Sequence, residues 1–216
     1  MRHELYYTSI FSFSPRNMTE EGETAYEFVK CLKNNWPVRG KDFPSALVAK
    51  NLNKILQDSG SLRNVFHEWA ILVPVPRASL TREDNFWPSR EIAKELESLK
   101  LGKVLTLLER VERVNPSSKS RPQDRPTPTQ HYRSFSIKKK LPSVDSVVLV
   151  DDVVTRGHTL MGAAWKIEEA YPDIGIHAFA AFRTISNPDE FRRFVEPVEL
   201  GTIIYRSDKD DCLRRP

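Results

Sequence analysis

The chain has little sulfur and no long apolar run, and each absence narrows its class. Its two cysteines, Cys31 and Cys212, lie far apart and without metal-ligand spacing. A zinc site made from them alone is not expected, nor is a disulfide framework, which fits a reducing compartment. The opening residues, MRHELYYTSIFSFSPRN, hold no continuous apolar h-region and no small-residue cleavage site, so no signal peptide is expected. No stretch approaches the length of a membrane span. The expectation is a cytoplasmic protein without a membrane partner. A net charge of +4 is too mild for a protein that coats nucleic acid, although local basic patches remain. There is no internal repeat.

What is present is a globular composition, 39% hydrophobic and 29% charged, on a chain long enough to bury a core without staples. Residues 19–32 read as a helix. Thr19 is placed to cap it, Glu20 and Glu21 suit its first turn, and Ala25, Phe28, Val29 and Leu32 share a face. A second helix is expected over 43–56, with Leu47, Val48, Leu52, Ile55 and Leu56 as its stripe. WAILVPVPR, 69–77, reads as a short strand that stops near Pro74 and Pro76, because proline cannot donate to a ladder. A helix over 89–99 follows, with Ser89 as N-cap, and GKVLTLLERV carries another strand. Residues 114–131 are poor in apolar side chains and rich in Pro, Ser, Arg and Lys, the pattern of a functional or disordered loop. Then come a strand at 147–150, a helix at 159–171, a strand at 176–182, a short helix near 188–194 and a last strand around 202–205, with RRP as a tail. Strands alternating with helices from residue 70 onward imply an α/β fold with a doubly wound, mostly parallel sheet. Residues 1–65 read as an N-terminal helical flanking region, and 66–216 as the α/β core, with a mobile loop over 113–136.

The segment SVVLVDDVVTRGHTLMGAAWKI, 146–167, places two like charges, Asp151 and Asp152, at the end of an apolar strand. Ligands of open α/β sheets bind outside the carboxyl ends of strands. The following loop has the parts of a phosphate cradle. Gly157 permits close backbone approach, Thr155 and Thr159 offer hydroxyls, and the next helix points free N–H groups and its positive end back at the loop. Paired Asp after a strand is also an ordinary turn or cap signal. The full order of acids, glycine, threonines and helix suits instead a ligand with vicinal hydroxyls and a phosphate, such as a ribose 5-phosphate. The two acids can also hold Mg²⁺ when the ligand carries a pyrophosphate.

VVLVDDVVTRGHT resembles the phosphoribosyl pyrophosphate (PRPP) motif of type I phosphoribosyltransferases. VPVPRASLTRED, 73–84, is similar to the Pro-Val-Pro stretch of the ComF-like, competence-associated branch, where a pyrophosphate-binding loop follows the first core strand. RPTPTQHYRSFSI, 125–137, looks like that branch's hood-loop pattern, with Thr127, Gln130, Arg133 and Phe135 in register. The resemblance covers about residues 65–205. There are departures. Arg156 stands where most members carry threonine or another small residue. The branch's N-terminal four-cysteine zinc module is missing. Thr155 stands where the 6-oxopurine enzymes carry an acid.

The resemblance implies displacement of pyrophosphate from C1 of PRPP by a nucleobase-like nitrogen. It implies Asp151, Asp152, Thr155, Arg156, Gly157, His158 and Thr159 as the PRPP-binding residues, and Mg²⁺ held by Asp151 and Asp152. Arg77, Arg125 and Arg133 would stabilise charge on the departing diphosphate, with Arg82 and Arg121 as further candidates. A non-catalytic PRPP or nucleotide sensor linked to nucleic-acid metabolism is the alternative. The acceptor is unspecified, and binding to nucleic acid through the basic loop and homodimerisation are both left open.

Overall fold

Runs rich in β-branched and aromatic residues form most of the strands. The computed structural model describes residues 1–17, 19–58, 60–80, 85–115 and 124–216. Its strands are β1 (Glu4–Phe13), β2 (Ile71–Pro74), β3 (Lys103–Val104), β4 (Leu108–Arg110), β5 (Phe135–Ile137), β6 (Ser146–Val154), β7 (Gly175–Thr184), β8 (Val195–Arg206) and β9 (Asp211–Arg215). The helices are α1 (Glu20–Asn34), α2 (Pro44–Asp58), α3 (Pro88–Ser98), α4 (Pro128–Ser134) and α5 (His158–Ala170). Seven strands make one sheet in the order β3-β2-β6-β7-β1-β8-β9, and β4 pairs with β5 separately. β3, β2, β6, β7 and β1 run parallel, while β8 and β9 continue the sheet antiparallel. This is an α/β, Rossmann-like arrangement. No described helix is long and apolar enough to cross a membrane.

Both faces of the sheet are covered, so its central strands read as continuous apolar runs. Along β6 the side chains alternate. Leu149 packs with Leu160, Ala164 and Ile167 of α5, while Val148 and Val150 pack with Leu52 of α2 and Ile92 and Leu96 of α3. The connection β2–α3–β3 winds toward one edge of the sheet and β6–α5–β7 toward the other, with α3 and α5 on opposite faces. The order therefore reverses between β2 and β6, the place in open α/β sheets where ligands bind outside the carboxyl ends of the strands.

Several expectations are corrected. The N-terminal flank is not helical throughout, because residues 4–13 form β1, an interior strand between β7 and β8. Its partners lie far along the chain, at Tyr7↔Ala178 and Leu5↔Ile203, so nothing local announces it. GKVLTLLERV is two short strands in different sheets. Helix α3 begins at Pro88, whose fixed φ suits a first turn, and Ser89 instead donates its hydroxyl to the carbonyl of Val75 at 2.7 Å. Part of the loop expected over 113–136 is ordered structure. Thr127 and Gln130 form a capping box that starts α4, and Phe135–Ile137 pairs with β4. The two acids lie inside β6 rather than beyond it. The expected C-terminal tail is β9.

Helix α4 packs on α5 at a glycine. A Cβ at Gly162 would stand 2.7 Å from both His131 Cβ and the backbone nitrogen of Tyr132. Replacing Gly by Ala in an open helix adds about 1 kcal/mol of stability. Here the overlap outweighs that gain. Gly162→Ala should destabilise the protein by about 2 kcal/mol, lowering Tm by about 4–8 °C in thermal unfolding. A raised Tm would show that α4 gives way without cost.

Candidate functional site

The two carboxylates of β6 answer to different neighbours. Asp151 lines a cleft of about 360 Å³, open to solvent, at the carboxyl end of the strand. Asp152 is absent from that lining and pairs instead with Lys33, in the last turn of α1, at 3.0 Å. The backbone N–H of Asp152 donates to Asp151 Oδ1, and that of Val153 to Asp152 Oδ1, both at 2.9 Å. Burial, and then the neighbouring charge of Asp152, push the Asp151 carboxyl well above the usual range. Burial also works to raise Asp152, but the Lys33 ammonium and its hydrogen bond outweigh it, and Asp152 is held low. Lys33 is raised in turn, chiefly by Asp152. The doublet is thus one paired anion and one carboxyl that faces the cleft and resists ionising.

The remaining walls come from the loop after β6 and the start of α5, namely residues 153–160, together with Arg125. Gly157 has φ 93° and precedes α5 without a side-chain cap. A Cβ there would lie 2.6 Å from Ile203 of β8, so backbone sign and packing both demand glycine. The first amides of α5 have no carbonyl to bond within the helix. They face a cleft wall that carries Thr155 and Thr159. Nε of Arg125 is buried and has no hydrogen-bond partner among the described residues.

Two buried charged groups support this wall. Arg110 donates to the carbonyls of Arg77 (2.5 Å) and Pro76 (3.3 Å) and to the hydroxyl of Ser134, and it lies 4.0 Å over the Phe135 ring. It ties the loop after β2 to the end of α4. Burial lowers the Arg110 guanidinium to about 10, against the pull of Asp151. Arg110 also approaches Nδ1 of His131 at 3.5 Å, so that nitrogen accepts and the opposite one, 3.3 Å from Thr159 Oγ1, carries the hydrogen. Burial and the charge of Arg110 hold His131 neutral, with its pKa down at about 3. The second support is Asp211 of β9. It accepts from Arg156 at 3.1 Å, from His158 at 2.7 Å and from Arg206. The other ring nitrogen of His158 meets the Pro126 carbonyl at 2.8 Å.

Of the expected site residues, the cleft brings together Arg125, Asp151, Thr155, Arg156, Gly157, His158 and Thr159. Arg133 is exposed on α4 and not in the wall. Arg77 is exposed in the loop after β2 and donates to the Phe86 carbonyl at 2.7 Å. Arg82 and Arg121 lie outside the described residues. Reading the sequence missed Lys33, Arg110 and Asp211. For Asp211 a signal existed: RSDKDD, 206–211, is a turn composition directly after the apolar stretch TIIY. Lys33 and Arg110 carry none.

Among the described residues no three His, Cys, Asp or Glu side chains gather as a metal cage. With Asp152 paired to Lys33, Asp151 is the acid of the doublet that remains for a cation. Burial and Asp152 hold that carboxyl against ionising, so a divalent ion such as Mg²⁺ would take its shell from ligand phosphates and water rather than from the doublet. No protein-family model matches the chain, and no curated protein matches it.

Asp211 also sets a pH dependence. Burial acts to raise it, but the bonds from His158 and Arg206 and the charge of Arg156 bring it down to about 2. A depressed carboxylate adds stability that is present above its unfolded pKa of about 4 and lost as pH falls through the folded value. In denaturant titrations between pH 5 and 2, the stability advantage of the parent over Asp211→Asn should shrink by about 2 kcal/mol. Parallel curves would show that Asp211 is not held charged.

Proposed function

We propose that the chain binds PRPP and transfers its 5-phosphoribosyl group to a nucleobase-like nitrogen, releasing pyrophosphate. One observation carries this reading. The cleft at the carboxyl end of β6 places an acid, an anion-ready helix N-terminus, two threonines and a half-buried arginine around one small space. That set matches a ligand with ribose hydroxyls at one end and phosphate at the other. In this reading the fold is of the type I phosphoribosyltransferase kind.

Asp151 takes the ribose hydroxyls. Its carboxyl oxygens face the cleft, where they can accept from those hydroxyls. The loop 155–159 takes the 5-phosphate through its backbone N–H groups. The hydroxyl of Thr159 already accepts from His131, so its own hydrogen is left for the phosphate. Arg125 supplies a cation from the segment before α4. Arg77, in the loop that Arg110 fixes, lies outside the cleft lining and would leave the Phe86 carbonyl to meet the diphosphate. In the transfer the C1–O bond to diphosphate breaks with its electron pair leaving on oxygen, and the acceptor nitrogen's lone pair forms the new C1–N bond. Arg77 and Arg125 offset the charge that builds on the leaving group. A divalent cation bound with the diphosphate would supply further positive charge there.

Titration calorimetry and thermal shift with PRPP and Mg²⁺ test this. The parent should bind saturably, and Asp151→Asn should bind roughly tenfold more weakly with an unchanged circular dichroism spectrum. Equal stabilisation of parent and variant by PRPP would end the site assignment. Pyrophosphate release across a panel of bases identifies the acceptor. Saturable binding with no release from any base would assign a sensor instead.

A further inference from the structure

Where the turn after β8 enters β9 stand two consecutive acids, Asp210, which reaches α4, and Asp211, which reaches a wall of the cleft. Asp210 accepts from the hydroxyl of Thr129, in the first turn of α4, at 2.8 Å and from the Tyr205 hydroxyl at 3.2 Å. Asp211 holds the loop after β6. Its Oδ1 accepts from Arg156 and His158, and its Oδ2 from Arg206. Arg206 and Asp211 are also paired across the hairpin, so the carboxylate is fixed by backbone as well as by side chains.

We propose that Asp211 is a positioning residue for the anion cradle, holding Arg156 and His158 from outside the cleft lining in the arrangement that receives a phosphate group. The inference rests on the phosphate-binding reading of the cleft and deepens it. Its geometry distinguishes a brace from a plug. Arg156 and His158 line the cleft, and Asp211 does not. Asp211 is buried, at 9% exposure, and stands outside the cleft lining that holds its two partners. It therefore leaves the space for an incoming anion clear. Two guanidinium groups, Arg156 and Arg206, share the Asp211 carboxylate, one at each of its oxygens.

The brace matters most for Arg156, whose side chain is 51% exposed. A long, exposed arginine pays side-chain entropy when a ligand immobilises it. Bonded to Asp211, it has lost that freedom beforehand. His158 is held on both ring nitrogens, by Asp211 and by the Pro126 carbonyl, so the same brace joins the phosphate loop to the segment that leads into α4. Arg156 is the residue at which the loop departs from a small side chain, and Asp211 is what keeps that larger group placed.

The test is a double-mutant cycle read by calorimetry with ribose 5-phosphate. Asp211→Asn and Arg156→Gln should each raise Kd about tenfold, the scale of a charge-assisted hydrogen bond. The double variant should bind no worse than about twofold below Arg156→Gln alone, because the two act through one contact. A purely structural role predicts independent, multiplying losses of affinity, and that result would overturn the proposal. If Asp211→Asn does not fold, Asp211→Glu keeps the charge but displaces the carboxylate by one methylene. It should keep a near-parent Tm and lose affinity several-fold, and parental affinity would overturn the proposal. A parent that binds neither ribose 5-phosphate nor PRPP removes the phosphate-binding reading itself. A parent that binds alongside an Asp211→Asn variant of equal affinity removes only the brace.

Discussion

Two adjacent carboxyls in a strand cannot both ionise readily unless each finds its own partner. That constraint organises this molecule. Asp152 finds Lys33 on α1, while Asp151 faces the cleft beneath α5. Strand alternation is what separates them: Leu149 packs under α5, and Val148 and Val150 pack under α2 and α3. One carboxylate is stabilised as an ion by a close ammonium. The other is left where burial and its neighbour's charge oppose ionisation. The pair therefore anchors a helix and furnishes a site with the same two residues.

A similar economy runs through the cations. Arg110 is almost fully buried, which is costly unless every donor is used. Its bonds to Arg77, Pro76 and Ser134 make it a fastener between the loop after β2 and the end of α4. It also decides which nitrogen of His131 carries hydrogen, and through His131 how the Thr159 hydroxyl is aimed. Asp211 plays the opposite-sign part on the other wall. The cleft is thus lined by Arg125, Asp151, Arg156 and His158 together with short side chains and backbone, while Arg110 and Asp211 support it from outside that lining.

Legibility in the sequence followed distance along the chain. Thr19 as a cap, the apolar stripes of α1 and α2, and the stop of β2 at its prolines all come from rules that act within a few residues, and all appear in the structure. So does the strand–loop–helix of 146–170. Gly157 was legible as a residue that had to be glycine, but the packing reason, Ile203, lies on another strand. Residues 113–136 read as loop because their composition is polar. The capping box at Thr127 and Gln130 and the packing of α4 on Gly162 order the second part of that segment, and composition does not register either.

By itself, then, the sequence determined which short stretch turns from strand into helix, that the turn needs a glycine, and that acids and hydroxyls gather beside it. Periodicity and backbone stereochemistry are local, so they survive without the fold. Only the tertiary structure decided that residues 4–13 lie inside the sheet, that Lys33 claims Asp152 from 119 positions away, and that Asp211 stands 53 positions from the His158 it holds. Ion pairs between distant segments depend on which strands become neighbours, and the order β3-β2-β6-β7-β1-β8-β9 is set by burying both faces of the sheet at once.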